Sequence, residues 1–283
     1  MIELLDYVLD YEDNFWIVNS IEGNIPKGYM VYKVSCDGRY NPITKKKYVK
    51  MYSANIQEVP RYQKIFKLNQ FYLTHKEKLD GVWKKYVNAL NKIGIPDKDI
   101  GIFGSYLIGF EIEKDVDFVI YGIHNLKKYY KNVNFIRDFI GATSITENHI
   151  QRQYFKHKNM YHKNCDLLRI ISRNWSGVQI KEGVLSTPRF IDRKFLKIPA
   201  DNQKREVIRC KVLHGLTSAL LPRRAEVIFE NEKYMILTNL WKYQSFLEDG
   251  DEIECFASVN RKEKTIVLYD SDCYVKFLNI KKK

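Results

Sequence analysis

Proline is scarce, seven in 283 residues, and no segment is of low complexity or repeats another, so linkers have to be inferred from changes of periodicity. No apolar run approaches the eighteen residues of a membrane-spanning helix. The opening MIELLDYVLDYEDNFW carries acids where a signal peptide carries bases, so the expectation is a cytoplasmic protein. Five cysteines, Cys36, Cys165, Cys210, Cys255 and Cys273, are odd in number, far apart and without a C-x-x-C pair. That excludes a disulfide framework and a zinc ribbon, and predicts reduced, buried thiols. Acids are also outnumbered: 34 Asp and Glu against 47 Lys and Arg leave +13. A polyanionic partner such as nucleic acid fits that excess, and so does a merely soluble basic surface. With 45% hydrophobic residues the chain can bury a proper core.

What is present is concentrated in residues 99–122, DIGIFGSYLIGFEIEKDVDFVIYG. Ile102 and Phe103 lead into Gly104-Ser105, and Asp115-Val116-Asp117 opens a second apolar run, Phe118 to Tyr121. The pattern predicts strand, tight turn, one or two helical turns, strand. Residues i and i+2 of a strand share a face, so Asp115 and Asp117 project together while Val116 and Phe118 turn into a core. Two adjacent carboxylates repel each other unless a divalent cation lies between them.

Phe103-Gly104-Ser105, nine intervening residues and Asp115-Val116-Asp117-Phe118 resemble the signature of the DNA polymerase β-like nucleotidyltransferase superfamily. The resemblance covers about residues 75–172. It implies a third carboxylate on a later strand, for which Cys165-Asp166-Leu167-Leu168 is the candidate. It also implies metal-dependent transfer of NMP from an NTP such as ATP to a hydroxyl, releasing pyrophosphate. Asp115, Asp117 and Asp166 would bind Mg2+ or Mn2+ and carry catalysis, with Asp166 or a metal-bound hydroxide taking the proton. Gly104 has no side chain to block a phosphate. The amides after it, with the Ser105 hydroxyl, would hold phosphate oxygens at a helix start.

Around this core, residues 1–66 read as a β-rich module. Phe15-Trp16-Ile17-Val18 and residues 29–34 are strands about a turn at 24–28, with further turns at Asp37-Gly38 and Asn41-Pro42. Tyr40, Lys45, Lys46, Lys47 and Tyr48 would meet a phosphate backbone or form a solvated hairpin tip. From Phe71 to Ile93 apolar residues recur at helical steps, ending at Gly94. Leu126 to Ile140 reads as a helix stopped by Gly141, and Ser144 with Glu147 as a capping box for another. The basic, aromatic run Arg152, Tyr154, Lys156, His157, Lys158, Tyr161, His162, Lys163 is either an exposed loop or a phosphate-holding surface, so Arg152 and Lys163 join the nucleotide-binding candidates. His157 and His162 are five apart and share no helix face, which disfavours zinc. Six short strand-like segments between 207 and 278, with turns at Asn231-Glu232, 248–251 and 270–272, predict a small closed barrel or sandwich, loosely OB-like. Arg223-Arg224 and Lys281-Lys282-Lys283 would add phosphate contacts or serve as charged edges.

The expected fold class is α+β, with a polymerase β-like nucleotidyltransferase α/β core at 67–175 between a β-rich module at 1–66 and a β-barrel-like module at 176–283. The expected enzyme uses an NTP and acts on nucleic acid, RNA more than DNA. Open alternatives are transfer to a small molecule or a protein side chain, and a non-catalytic nucleic-acid-binding protein on an inactive core.

Overall fold

A computed structural model of the chain describes residues 2–22, 24–51, 56–110, 116–160, 162–173, 176–180, 184–186, 188–192, 204–238, 243, 246–269 and 272–278. The N-terminal strands are β1 (Tyr7–Asp10), β2 (Phe15–Glu22), β3 (Ile25–Asn41), β4 (Lys46–Lys50), β5 (Gln57–Glu58) and β6 (Tyr62–Phe66). Then come α1 (Leu68–His75), α2 (Gly81–Lys92), β7 (Ile100–Phe103), β8 (Asp117–Tyr121) and α3 (Ile123–Ile140). They are followed by α4 (Glu147–His157), α5 (Leu167–Ser172), β9 (Val178–Ile180), β10 (Val184–Ser186) and β11 (Arg189–Ile191). The last strands are β12 (Arg205–His214), β13 (Leu220–Leu221), β14 (Arg223–Phe229), β15 (Glu232–Thr238), β16 (Glu252–Asn260), β17 (Thr265–Leu268) and β18 (Tyr274–Phe277). The protein is mixed α+β and divides into two compact units: Met1–Gly141 with Val184–Lys197, and Ala142–Gly183 with Ile198–Lys283.

In the first unit an antiparallel sheet runs in the order β4-β3-β2-β1-β6, with β5 on β3. The turn expected over 24–28 falls earlier, since Glu22 pairs with Ile25 and residues 25–28 already belong to β3. Asp37-Gly38 is a bulge inside β3 rather than a turn: Val34 and Arg39 both face Tyr48. A β-carbon on Gly38 would lie 2.4 Å from the Tyr48 carbonyl oxygen, so only glycine lets the strands close there.

The helical stretch expected at 71–93 is broken in two. Leu79 is extended and 2% exposed, drawn into the core, and α2 starts afresh after Asp80. Its end is a glycine cap: Gly94, at φ +79, donates its N–H to the Asn91 carbonyl while Ile95 donates to Leu90. Gly141, at φ +72, ends α3 in the same left-handed conformation. Thr146, not Ser144, is the N-cap residue of α4, and its N–H donates to Gln179 Oε1 at 2.9 Å, so the expected capping box does not form.

In the second unit β12-β14-β15-β17-β16 close on themselves through the β12–β16 pairing, giving a five-stranded barrel. Neighbouring strands are antiparallel except β15 and β17, which are parallel. β18 pairs with β16 outside the ring. Strand alternation fills the barrel: Ile208, Cys210, Val227, Ile236, Cys255 and Ile266 are among its buried core residues. Cys210, Cys255 and Cys273 are buried free thiols, as expected, and Cys165 packs against the same core. Cys36 departs from the expectation, being exposed on the β3 bulge.

Candidate active site

β7 and β8 are antiparallel neighbours with Ile102 opposite Phe118 and Phe103 opposite Asp117. Val116 and Phe118 are fully buried, Phe118 under the rings of Tyr86 and Trp83 from α2, with centroids at 4.9 and 6.2 Å. Alternation therefore sends Asp117 to the other face, where it is partly exposed at the start of β8.

The turn after β7 is built around that carboxylate. Gly104 has φ +80, a conformation costly for any residue with a β-carbon. A β-carbon there would also lie 2.4 Å from Asp117 Oδ2. The bend thus calls for glycine, and the acid seated against it would have to move aside for any larger residue. Residues 105–109 form turns rather than the expected helical turns: Phe110 donates its N–H to the Ser105 carbonyl and Gly109 to Tyr106.

The N-terminal sheet grips this turn from outside. Asn41 Nδ2 donates to the Ile108 carbonyl at 2.8 Å, and Phe110 packs on the rings of Tyr32 and Tyr48 at 5.0 and 6.0 Å. Gly109, at φ +93, leaves room for Ile43, whose Cδ1 would be 2.3 Å from a β-carbon. Arg39 lies 4.8 Å over the Phe110 ring.

The strand beside β8 is β11, parallel to it, with Arg189 opposite Val119. Arg189 therefore shares the Asp117 face. From β11 its guanidinium reaches across β8 to lie 4.8 Å over the ring of Phe103, the residue directly opposite Asp117. An aromatic face holds this cation. Tyr7 of β1, 5% exposed, completes the wall. Burial pushes its phenol well above the ordinary value; Tyr29, Tyr32 and Asp117 add to the shift and Arg189 offsets part of it. Neither Tyr7 nor Arg189 stands out in the sequence, because their placement depends on which strands become neighbours.

The structure brings Gly104, Ser105 and Asp117 together. Asp115 lies outside the described residues. Asp166 belongs to the second unit and is not on a strand: it is the N-cap residue of α5. Its Oδ2 accepts the Phe277 N–H at 2.7 Å and its own N–H donates to the Val275 carbonyl at 3.0 Å, tying α5 to β18. Leu167 and Ile170 of α5 are buried, Ile170 in the barrel core, which explains the apolar neighbours that resembled a strand. Arg169 stacks from this helix on Phe277 at 4.2 Å.

Arg152 and Lys163 also belong to the second unit. Arg152 folds back on α4, its Nε donating to the Asn148 carbonyl at 3.3 Å, and Lys163 is exposed. Arg223, expected to contact phosphates, is 1% exposed and on the interior side of β14. Lys281, Lys282 and Lys283 lie outside the described residues. Among the described residues no group of three His, Cys, Asp or Glu side chains could hold a metal ion. Asp117 is therefore the one proposed metal ligand described beside Gly104, and Mg2+ or Mn2+ fits there only with Asp115 as a second carboxylate. Compared with known proteins, the chain matches no protein-family model, no curated protein and no solved structure.

Proposed function

We propose that the chain is a metal-dependent nucleotidyltransferase that moves an NMP from an NTP to a hydroxyl acceptor on nucleic acid, RNA in preference to DNA. The observation that carries the reading is the seating of the Asp117 carboxylate against the bare Cα of Gly104, at the end of an antiparallel strand pair. This is the relationship that the Gly-Ser and Asp-x-Asp elements require of each other if one is to hold phosphates and the other the cation that neutralises them.

In this reaction the α-phosphorus gains a bond to the acceptor oxygen and loses its bond to the β-phosphate bridging oxygen. Pyrophosphate leaves, and the hydroxyl proton passes to water. Asp115 and Asp117 would hold Mg2+ or Mn2+, which would neutralise charge on the triphosphate and lower the pKa of the attacking hydroxyl. The chain's own residues do the rest. The Gly104-Ser105 bend would offer the backbone N–H groups after Gly104 and the Ser105 hydroxyl to phosphate oxygens. Arg189, fixed on Phe103, offers a fork of N–H donors to the same phosphates and balances the carboxylate across the strand. Tyr7 and the N-terminal sheet keep the turn and Asp117 dry on their inner side. No step of this proposal is assigned to Asp166, whose Oδ2 is engaged by the Phe277 amide within the second unit.

The nucleic-acid acceptor is supported by the charge of +13 and by the barrel. We read the barrel as OB-like from its closing order β12-β14-β15-β17-β16 and its single parallel pair, the arrangement of small Greek-key barrels that bind oligonucleotides. Incubation with each labelled NTP, Mg2+ or Mn2+ and total RNA, read on a gel, tests the proposal. Label is expected in RNA, and its yield should fall steeply with added salt. Salt-insensitive labelling of a small acceptor or of protein would replace the nucleic-acid reading, and ATP binding without labelling would leave an inactive core.

A further inference from the structure

The outer face of the C-terminal barrel carries a row of rings. On β12, Ile208 and Cys210 face the core, so Val207 and Arg209 face out. Val207 pairs with Phe256 on β16, and Phe256 pairs with Tyr274 on β18. The Phe256 and Tyr274 rings are stacked at 6.1 Å and 24°, and His162 also stacks on Tyr274, at 4.9 Å and 19°. Phe256 and His162 thus both stack on Tyr274, which is itself 6% exposed. The ladder stops at Val207, which is 56% exposed and too short to cover the flank of Phe256. A β-branched residue here leaves a step beside an aromatic face.

Charge surrounds that step. Arg205 and Arg209 lie two residues to either side of Val207 on the same strand, about 7 Å each way, and Lys276 lies two residues beyond Tyr274. Lys163 adjoins His162 at the other end. Glu254 pairs with Arg209 at 3.0 Å and holds it over the surface, 73% exposed. Stacking rings flanked by cations answer a chain whose flat, apolar faces alternate with negative charges.

We propose that this face binds single-stranded RNA, one base stacking on Phe256 above Val207 and the neighbouring phosphates meeting Arg205 and Arg209. The site lies on β12, β16 and β18 rather than on the β14–β15 side of the barrel. It deepens the nucleic-acid part of the proposed function and does not require the transferase chemistry, so loss of either leaves the other standing. A duplex, whose bases are stacked on each other, fits the step poorly.

The test is fluorescence anisotropy of the full chain with a fluorescein-labelled 12-nucleotide oligo(U), at low and moderate salt. Val207→Glu, which puts an acid on the exposed step, and Phe256→Ala, which removes the stacking face, should each weaken binding tenfold or more. A variant in the other unit, Tyr11→Ala at a 71% exposed position, should bind as the parent does. Val207→Glu is on the surface and its melting temperature should match the parent's, so a folding failure of Phe256→Ala would not decide the matter. Unchanged binding by Val207→Glu, equal binding of a 12-base-pair duplex, or no binding of the oligomer would overturn the proposal, whether or not NMP transfer is observed.

Discussion

Asp117 Oδ2 occupies the space where Gly104 would carry a side chain: a β-carbon there would be 2.4 Å from the oxygen. Gly104→Ala therefore tests the bend and the acid together. Because Gly104 is at φ +80, the substitution should cost about 1–2 kcal/mol of stability. It should also push the carboxylate off the turn. The expected result is a protein that still melts cooperatively, a few degrees lower, with NMP transfer reduced at least a hundredfold. A variant with near-parental transfer would show that the seating has no part in the chemistry.

Arg189 should act on the triphosphate and not on the acceptor. A charge-assisted, forked contact contributes about 1.5–3 kcal/mol, so Arg189→Ala should raise the KM for NTP by roughly ten- to a hundredfold with a smaller change in kcat. Lysine keeps the charge but loses the fork and the stacking on Phe103, and should recover only part of the loss. Steady-state kinetics against NTP, with the acceptor saturating, separates these. An unchanged KM would assign Arg189 to packing alone.

The residue just before β1 is a pH-sensitive group. Burial pushes the Asp6 carboxyl from 3.8 to about 6, against the opposing hydrogen bond and charge of Lys67 at 2.5 Å. An acid whose folded pKa is raised favours the folded state while protonated. Its contribution is complete below about pH 4 and is lost as pH rises through about 6, a swing on the order of 3 kcal/mol. Other carboxylates titrate in the same window, so the check is a difference. Between pH 4 and 7 the parent should lose on the order of 3 kcal/mol relative to Asp6→Asn, measured by urea unfolding at each pH. Parallel curves would contradict this.

The strand–turn–strand around Gly104 and the barrel strands were legible because their signals are local. Ile102-Phe103 and Phe118 to Tyr121 are apolar runs bounded by turn residues, and β16 alternates its core residues with partly exposed ones. The helix break at Leu79, the start of α5 at Asp166 and the burial of Arg223 were not legible, since each is decided by what packs against the segment. Leu167 to Ile171 is apolar at both strand and helix spacing, and only contact with the barrel core selects the helix. Arg189 was hidden for a related reason. Residues 188–192 can be read as a short strand, but nothing in them says that β8 is the neighbour or that the side chain crosses it to reach Phe103. The third acid was sought by its flanking residues, whereas the strand that lies beside β8 brings a cation to the Asp117 face.

The central claim is that the Asp117 carboxylate, seated on the glycine bend, is indispensable to NMP transfer. It is tested most directly by incorporation of α-labelled NTP into RNA by the parent and by Asp117→Ala, compared at equal concentration in Mg2+ and in Mn2+. Label from the parent and a thousandfold or greater loss in the variant, with melting temperatures within a few degrees of each other, is the predicted result. Transfer by Asp117→Ala at a rate close to the parent's would contradict it.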